Sequence, residues 1–600
     1  MRKKRLLAFA MCVCMLATST TMAWATTDDA DSAAVEQDAA GAVEADELDS
    51  EETSATQAPA ATDAPAESEE ELDDLETIEY YDIRQDYQEQ GYKSPGEGTE
   101  IVLTPEQATG NTTLQIAETE DEFGEKRNAI AFTEDAGCET VEYTFNVEKA
   151  GLYEIHMEFM NTVSYGMQIQ RRVYIDGVVP CKELNNVYLY RYFEEEGEVQ
   201  KNAIGDEVWP KNREHEKWQT QGVVDYDGYY STPLQFYFDE GEHTIAFEYI
   251  DQDIYLGDVT LKAPQEYKTY EEVQKEYEEK GYKKASGDAV VFEAEETEWK
   301  SDSTIRRDTD TDPATSPSSG IDRVLNTIGG DRWSDGNQSI TWKFTVEEAG
   351  LYNINMRAMQ NFSEGMPSAR QILIDGEIPF EELVMYQFEY QETWAAFSLH
   401  DENGDPYEFY FDEGEHEITM VVKSGQLYDV IRLTNDIISD VSDEYLKITK
   451  VTTTNPDTNY EYNLYKSMPE LKDEFNAIGD KVQQCIDAIQ EMSNMTTAME
   501  GSYEEILSTL RGYAEDPDQI TADISGLEDM QTSLGDYILS MGDMPLTIDY
   551  FSLDPSGDDF KIKTSNGFQR FLVSVQSFLA SFYKDYDAVG SIYAGEDDME

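Results

Sequence analysis

The chain has 600 residues, of which 126 are acidic and 43 are basic, so its formal net charge is −83. This charge argues against a nucleic-acid partner, because affinity for nucleic acid comes largely from neutralising phosphates with Lys and Arg. An anionic membrane surface would also repel such a polyanion. Apolar residues at 40% and aromatic residues at 12% are enough for hydrophobic cores, and the length allows several domains.

The first residues have the pattern of a secretory signal peptide. A basic start at Arg2–Arg5 precedes an apolar run at Leu6–Leu16, and Ala23–Ala25 fits a small-x-small cleavage site. We therefore expect residues 1–25 to be removed and the protein to be secreted, extracellular or associated with the cell surface. The apolar run is too short to span a membrane, and no later segment has the required apolar length. Lipoprotein processing at Cys12 is the alternative.

An acidic spacer is predicted over residues 26–77. From Thr26 to about Leu75 there is no Lys, Arg or aromatic residue. Such a segment cannot bury enough apolar surface to offset its ordering entropy, which predicts disorder.

Three cysteines, Cys138, Cys181 and Cys485, follow the predicted leader. An odd number does not indicate a disulfide framework. We expect buried free thiols, with a Cys138–Cys181 bridge as the alternative.

Two long segments of the chain repeat each other with a period near 200 residues. The matching stretches are Ala150–Tyr153 with Ala349–Tyr352, Ile175–Gly177 with Ile374–Gly376, and, letter for letter, Phe236–His243 with Phe409–His416. The distance along the chain between matching residues is 199 for the first two stretches and 173 for the last. The first copy therefore carries about 26 extra residues before the last match. A match of this length predicts two homologous domains in tandem.

Both copies have the pattern of β-structure. Thr140–Val147 and Ser339–Val346 alternate apolar and polar residues, and Asp-Gly pairs at 176–177 and 375–376 are hairpin signals. Many short strands with turn signals predict antiparallel sandwiches. The expected fold class is mainly β plus α: two tandem antiparallel β-sandwiches of jelly-roll type, at 78–263 and 264–436, followed by a helical bundle segment.

The hydrophobic period changes after about residue 430. From Leu471 to Met492 apolar residues step by 4 and 3, which predicts a helix with a heptad-like seam and places Cys485 in its core. Two further helical patterns complete a predicted bundle at 437–545. A strand and an amphipathic helix are expected at 546–600. The apolar face of this last helix is predicted to pack on the bundle; membrane contact or docking on another domain are the alternatives.

No sequence motif indicates catalysis. There is no nucleophile elbow, no Walker-type loop and no tight metal spacing among the histidines. Carboxylates are so numerous that a pair resembling a glycosidase dyad carries no information without geometry. Asp308, Asp310 and Asp312 begin like a calcium loop, but Pro313 and Ser319 stand where an EF-hand has Gly and Glu, which favours a solvated acidic loop. We therefore expect a protein that is not an enzyme.

Several stretches resemble known families. Phe292–Glu296, followed by a sandwich with the repeated turns, resembles the galactose-binding-like fold of carbohydrate-binding modules of families 6 and 35. From about residue 78 to 597 the chain is similar to the N-terminal part of secreted solute-binding proteins of bacterial sugar ABC importers. The stretches that carry this second resemblance are Trp218–Thr220, Gly228–Tyr230, Leu325–Trp333 and Ser581–Tyr586.

This resemblance implies a function in sugar capture. In the related proteins the two sandwiches and the helical segment precede a two-lobed solute-binding domain, and this sequence does not contain those lobes. Three alternatives are open: the chain is truncated, the lobes are on another polypeptide, or the chain works alone.

The resemblance also implies a structural calcium site in the second sandwich. Glu293 and Glu295 match a Glu-Ala-Glu pattern that often contributes to calcium binding in the related modules. Two carboxylates spaced by two on a strand would share one face and could hold a hard cation with loop carbonyls. Ordinary surface charge is the alternative, and the first copy lacks the pattern.

Sugar recognition requires an exposed aromatic face and planar polar groups for the hydroxyls. Two sets of residues offer this chemistry in loop-like sequence: Arg213, Trp218, Tyr229 and Tyr230 in the first copy, and Asn326, Arg332, Trp333 and Trp394 in the second. The alternative is that these aromatics close the sandwich or stabilise the interface between domains.

These features predict a secreted, non-catalytic protein that binds an oligo- or polysaccharide and takes part in sugar capture for an ABC importer. Importer components or a separate solute-binding lobe are the expected partners. A structural scaffold, a cell-surface adhesin without a sugar site of its own, and a degenerate glycosidase are the alternatives.

Overall fold

The computed structural model describes residues 78–164, 166–362, 364–457, 460–557 and 560–584. Within these residues the chain forms two antiparallel β-sandwiches in tandem and a helical bundle, which is the fold class predicted from the sequence. The predicted signal peptide and acidic spacer lie outside the described residues. No described helix is both long and apolar enough to cross a membrane.

The first sandwich follows helix α1 (Tyr80–Gln90). One sheet has the order β13-β6-β16-β4-β3 with β1 and β14 at its sides, and the facing sheet has the order β2-β5-β15-β7-β8. The strands are β1 (Glu100–Leu103), β2 (Thr109–Gly110), β3 (Ile116–Glu120), β4 (Lys126–Phe132), β5 (Thr140–Val147), β6 (Gly151–Asn161), β7 (Ile169–Ile175), β8 (Val187–Leu189), β9 (Tyr192–Glu196), β10 (Gln200–Lys201), β11 (Glu207–Val208), β12 (Lys211–His215), β13 (Trp218–Gly222), β14 (Gln235–Phe238), β15 (Gly241–Asp251) and β16 (Ile254–Lys262).

The second sandwich follows helix α2 (Tyr270–Lys280), which has a capping box at Thr269. One sheet has the order β19-β20-β28-β22-β25 with β17 and β26 at its sides, and the other contains β18-β21-β27-β23-β24. The strands are β17 (Val290–Glu293), β18 (Trp299–Lys300), β19 (Arg307–Asp308), β20 (Thr327–Gly329), β21 (Ser339–Val346), β22 (Gly350–Gln360), β23 (Ser368–Ile374), β24 (Tyr386–Phe388), β25 (Gln391–Ser398), β26 (Phe409–Phe411), β27 (Gly414–Lys423) and β28 (Thr547–Pro555).

Four long helices lie in the described part of residues 427–542. They are α3 (Leu427–Thr452), α5 (Leu471–Met492), α6 (Ala498–Glu515) and α7 (Ser525–Gly542), with the short α4 (Leu464–Ser467) between the first two. The heptad-like seam of α5 is buried, and Cys485 lies within it. Helix α3 begins at Leu427, before the boundary at 436 expected from the sequence, because its apolar face packs on both the sandwich and the bundle.

The bundle is inserted into the second sandwich. Strand β28, which the sequence analysis places in a separate C-terminal segment, pairs with β22 from Tyr352 to Met359 and also with β17 and β20. Phe551 and Leu553 of this strand are buried in the same core as the sandwich and the helices. The second sandwich is therefore not complete at residue 436, since a chain segment beyond the bundle supplies a strand of its sheet.

The repeated sequence stretches make the same contacts in both sandwiches. The Nδ1 atom of His243 lies 2.8 Å from Asp176, and that of His416 lies 2.7 Å from Asp375. Each histidine lies on the strand that pairs with the one ending at the Asp-Gly turn, β15 with β7 and β27 with β23, and ties the turn to that strand. This contact explains why the Asp and the His recur together.

The insertion of the first copy joins the two sandwiches. Strand β9 pairs with β12 and, through Lys300 and Phe193, with β18 of the second sandwich, so both insertion strands extend a sheet of the second sandwich. The segment from β9 to β12 is called the strap below. Of the residues predicted for sugar binding, Arg213 lies in the strap, where it is part of β12 and not of a loop.

The three described cysteines are free and buried, so the alternative of a Cys138–Cys181 bridge is wrong. The last helix, α8 (Gly567–Ala580), has no buried residue. The sequence analysis predicted that its apolar face packs on the bundle. Instead, Phe568, Phe571 and Leu579 are all more than half exposed.

Candidate functional site

A cavity of about 1060 Å³ lies between the second sandwich and helix α8. Its floor is the loop that connects β19 to β20, together with the end of β22 and the start of β25. Helix α8 and the residues after it form the opposite wall. The cavity, called the cleft below, is lined by Asp206, Thr309–Asp312, Ser319–Val324, Met359, Asn361, Glu392–Trp394, Arg570, Val573, Ser574, Ser577, Phe578, Ser581 and Lys584.

Ion pairs hold helix α8 against the floor of the cleft. The Asp312 carboxylate accepts a hydrogen bond from the Ser565 hydroxyl at 2.8 Å and pairs with Arg570 at 3.0 Å. Lys584 pairs with Asp206 at 2.5 Å and with Asp322 at 3.2 Å. Since Asp206 belongs to the strap, residues of both sandwiches and of the C-terminal segment meet at one end of the cleft.

Trp394 borders the cleft in a fixed orientation. The guanidinium of Arg357 lies over its ring at 4.4 Å from the centroid, and its indole N–H donates to Asp310 at 3.2 Å. Arg357 is itself buried and paired with Asp549 of β28, whose pKa burial raises to about 6 against the opposing effects of the Ser316 N–H and Arg357. The indole is therefore held from one side while it borders open space, as a ring-stacking site requires.

Two of the predicted tryptophans are buried and cannot stack on a sugar. Trp333 is fully buried, with the Arg370 guanidinium 4.1 Å from its ring centroid and Trp342 packed edge-on at 5.9 Å. Trp218 packs in a small cluster with Met160 on the outer side of the first sandwich. Sequence alone could not distinguish them from exposed tryptophans, because loop-like flanking residues do not determine burial.

The predicted tyrosines lie at the domain interface. The Tyr230 hydroxyl is 2.7 Å from that of Tyr428 in helix α3, and the Tyr229 ring stacks on Tyr428 with centroids 4.9 Å apart. Their backbone N–H groups donate to the buried Asp225 carboxylate. These residues pack the first sandwich against the bundle. The sequence analysis left this role, at an interface between domains, open as the alternative to sugar binding.

The remaining predicted polar residues have structural partners. Asn326 is fully buried, and its side-chain amide donates to the carbonyls of Asp310 and Pro317, so it shapes the floor of the cleft without lining it. Arg213 is exposed and pairs with Glu122 at 2.6 Å. Arg332 lies 5.5 Å from the ring centroid of Trp209 in the strap. Of the eight residues predicted for sugar binding, Trp394 alone lines the cleft.

The sequence analysis did not predict several residues that line or support the cleft. The Asp308-Asp310-Asp312 motif was interpreted as a solvated acidic loop, but the Asp312 side chain is 9% exposed and anchors helix α8. The Asp-x-Asp-x-Asp spacing was the sequence feature that could have identified this loop as part of a site. Lys584 lies in a stretch that carries the family resemblance, whereas nothing in the sequence connects Arg357 with Asp549, because strand pairing alone brings them together.

Glu293 and Glu295 lie near one another at the end of β17, although not on one strand. The strand ends at Glu293, and Glu295 follows in a turn, so the expected strand geometry is wrong. Each carboxylate has one buried oxygen without a hydrogen bond among the described residues. Burial raises the pKa of Glu295 to about 8, with the charge of Glu293 adding to the effect and Arg307 opposing it. Within the described ranges, no three His, Cys, Asp or Glu side chains are grouped to hold a metal.

Residues 429–542 match the family model of the bacterial solute-binding protein four-helix bundle domain. This range begins within α3 and ends with α7, so the match covers the bundle and neither sandwich. No functionally curated protein matches the chain.

Solved structures that resemble parts of the chain are distant. A family 35 carbohydrate-binding module from Clostridium thermocellum is 12% identical, with 27% of this chain and 98% of that chain covered and a TM-score of 0.15. The C-terminal family 6 module of a marine laminarinase from Zobellia galactanivorans is 10% identical over 27% and 99%, with a TM-score of 0.15. A Podospora anserina mannanase with a family 35 module is 11% identical over 28% of this chain and 29% of the enzyme, with a TM-score of 0.16. Similarities this weak carry no functional argument.

Proposed function

We propose that this chain is a secreted, non-catalytic carbohydrate-binding protein that holds a glycan in the cleft beside Trp394. The observation that carries the proposal is the cleft itself. Its volume of about 1060 Å³ accommodates several sugar rings, since cavities of about 300–1000 Å³ hold drug-sized ligands. Trp394 and Phe578 offer aromatic surface, and the carboxylates and cations around them offer hydrogen bonds to hydroxyls.

The charged groups of the cleft favour a neutral sugar. Asp206, Asp312 and Asp322 are each paired with Lys584 or Arg570. The whole lining has five acidic and three basic residues, so its charge disfavours an acidic sugar. A paired carboxylate retains lone pairs that accept a hydroxyl hydrogen bond without the cost of burying a free charge. Trp394 would supply the stacking face and Asn361 a planar amide.

An association with sugar import is the second part of the proposal. The match of residues 429–542 to a solute-binding-protein domain supports it. The exposed apolar face of α8 offers a docking surface for a solute-binding lobe carried by another polypeptide. This face contains Phe568, Phe571 and Leu579, and the segment 560–584 contains no Asp or Glu.

Calcium binding at Glu293 and Glu295 remains part of the proposal. Two buried carboxylate oxygens without hydrogen bonds are suited to a hard cation, which prefers oxygen ligands. Asp549 is close enough to contribute to the raised pKa of Glu295, and backbone carbonyls would complete the shell. When bound, the cation would neutralise these carboxylates behind the floor of the cleft.

A glycan array with the purified chain, with and without calcium, tests the proposal. Trp394→Ala is expected to weaken the strongest glycan signal at least ~10-fold, because stacking on an aromatic ring and the hydroxyl contacts beside it are lost together. Tyr255→Ala is the matched control, since this aromatic packs beside Trp218 in the first sandwich, away from the cleft. A folded protein with no signal on the array, or equal signals from both variants, would contradict it.

A scaffold without a sugar site is the second candidate function. The specific observation that favours it is the burial of Trp333, Trp218 and Tyr230, which leaves few aromatic side chains at the predicted sites. A blank glycan array together with capture of a solute-binding lobe through α8 would support this candidate.

A further inference from the structure

A second cavity, of about 410 Å³, lies between the two sandwiches and is separate from the cleft. On one side it is lined by outward-facing residues of β6, Glu154 and His156, which alternate with core residues. On the other side it is lined by outward-facing residues of β21, β23 and β27, among them Thr341, Gln371 and Lys423. Neither domain forms this cavity alone.

Lys423 brings a buried ammonium group to this cavity. The residue is 3% exposed, and its Nζ atom donates to Asn337 Oδ1 at 2.6 Å and to the Tyr230 carbonyl at 3.2 Å. No carboxylate of the described residues lies within ion-pairing distance of it, although the charge of Asp225 acts on it from further away. Burial lowers its pKa to about 8, with Asp225 opposing the shift. An ammonium has three donors, so one remains unused.

Two further lining residues also have unused donors. The Nη2 group of Arg191 is buried and has no hydrogen-bond partner among the described residues. Its Nε group donates to the Met167 carbonyl, and its Nη1 group donates to the Thr162 carbonyl and forms a buried ion pair with Glu214. The Tyr190 hydroxyl is buried beside Asn337 and makes no hydrogen bond of ordinary geometry. Both residues line the cavity.

The cavity lining has more basic than acidic residues, although two of the basic residues are already paired with carboxylates outside the lining, Arg191 with Glu214 and Lys300 with Glu195. Acidic residues outnumber basic residues 126 to 43 overall, whereas the cavity is lined by four Lys and Arg residues and two Glu residues. The basic residues are Arg191, Lys262, Lys300 and Lys423, and the acidic residues are Glu154 and Glu377. Because the unused groups of the lining are donors, the complementary ligand is rich in acceptors.

We propose that this interdomain cavity binds the oxyanion group of a small solute, either a carboxylate or a phosphate. Lys423, Arg191 and Tyr190 would donate hydrogen bonds to its oxygens, and charge-assisted bonds of this kind are the strong ones. Tyr192 and Trp299 line the same space and would pack on a carbon skeleton up to the size of a monosaccharide. A bound solute would touch both sandwiches and stabilise their arrangement.

Thermal unfolding of the full chain at constant ionic strength tests this proposal with inorganic phosphate, glucuronate and glucose as probes. We expect phosphate or glucuronate, but not glucose, to raise the unfolding midpoint relative to matched chloride. A response to phosphate alone identifies an inorganic anion as the ligand class, and a response to glucuronate alone identifies an organic acid. Equal midpoints in all solutions would overturn the proposal.

Two variants and two controls locate the effect. Lys423→Met is expected to abolish the response, and Tyr190→Phe, which removes one oxygen atom, to weaken binding by ~10-fold. Tyr143→Phe is the control, because its buried hydroxyl also has no partner but lies in the core of the first sandwich. Trp394→Ala should leave the anion response unchanged, which separates this site from the cleft. An anion response that persists unchanged in Tyr190→Phe and Lys423→Met would overturn the assignment.

Discussion

The ammonium of Lys300 in the second sandwich lies 3.0 Å from Oε1 of Glu195 in the strap of the first. The Lys300 side chain is fully buried, and it also donates to Asn212 Oδ1 at 2.8 Å. The second Glu195 oxygen accepts from Arg307 at 2.6 Å. This network crosses the domain boundary beside the β9–β18 pairing, so the sandwiches are joined by buried charge as well as by main-chain hydrogen bonds.

Breaking this network should destabilise the chain strongly. Lys300→Met leaves Glu195 buried with Arg307 as its remaining cation, and removing one partner of a buried pair costs about 3 kcal/mol. Chemical denaturation followed by tryptophan fluorescence would measure the loss. Lys275→Met is the control, because its pair with Glu271 on helix α2 is exposed, and we expect no measurable change. Similar midpoints for both variants would contradict a structural role for the network.

The carboxyl of Glu295 should make stability depend on pH and on calcium. Its pKa is raised from 4.5 to about 8, chiefly by burial. The folded state therefore holds this proton over a range in which the unfolded state has released it, so the free energy of unfolding falls as pH rises from about 4.5 to 8. Calcium competes with that proton, which predicts greater calcium stabilisation at pH 8 than at pH 6.

Glu295→Gln is the variant that tests this titration. The neutral amide cannot ionise, so the fall in unfolding free energy with rising pH should flatten, and the calcium effect should disappear. Glu296→Gln, an exposed neighbour, is the matched control. A calcium response that is unchanged in Glu295→Gln would remove this residue from the proposed site.

The exposed face of helix α8 should contribute to binding and not to stability. Phe571 is 55% exposed, so Phe571→Ser should change the free energy of unfolding by no more than about 0.5 kcal/mol. Phe551 in β28 is fully buried, and Phe551→Ala should cost about 3–5 kcal/mol. Fluorescence of a hydrophobic dye should fall for Phe571→Ser. A large loss of stability in that variant would instead show that the face is packed in solution.

The C-terminal strand should be required for the second sandwich to fold. A chain ending at residue 545 lacks β28, which pairs with β17, β20 and β22 in the sheet. Hydrogen exchange should then show loss of protection in β22 and retained protection in β6 of the first sandwich. A chain ending at residue 557 keeps the strand and lacks α8, so its protection should match that of the full chain. Protected β22 in the shorter chain would contradict the insertion of the bundle.

The buried thiols should be unreactive in the folded protein. Burial raises the pKa of Cys138 and of Cys485 to about 11, so little thiolate is present near neutral pH. A thiol reagent at pH 8 should label none of the three cysteines beyond the predicted leader until denaturant is added, and then all three. Fast labelling under native conditions would indicate an open core.

Much of the architecture follows from local sequence. Alternation in Thr140–Val147 and Ser339–Val346 predicts strands, because neighbouring side chains on a strand point to opposite faces. The apolar steps of Leu471–Met492 predict the central helix of the bundle for the equivalent reason. The repeated Phe236–His243 and Phe409–His416 stretches predict two domains of one kind. These features depend on residues close together in the chain.

The site and the domain connections depend on tertiary structure. Trp333 and Trp394 both follow polar residues in the sequence, and only packing places the first against Arg370 in the core and the second at the cleft. The position of β28 in the sheet of β22 is equally absent from the sequence pattern, because a strand's alternation does not specify its neighbour. Burial and strand pairing are set by contacts between residues roughly 200 positions apart, as with Arg357 and Asp549. The amino-acid sequence therefore determines the kinds of elements, whereas their packing decides which side chains reach a ligand.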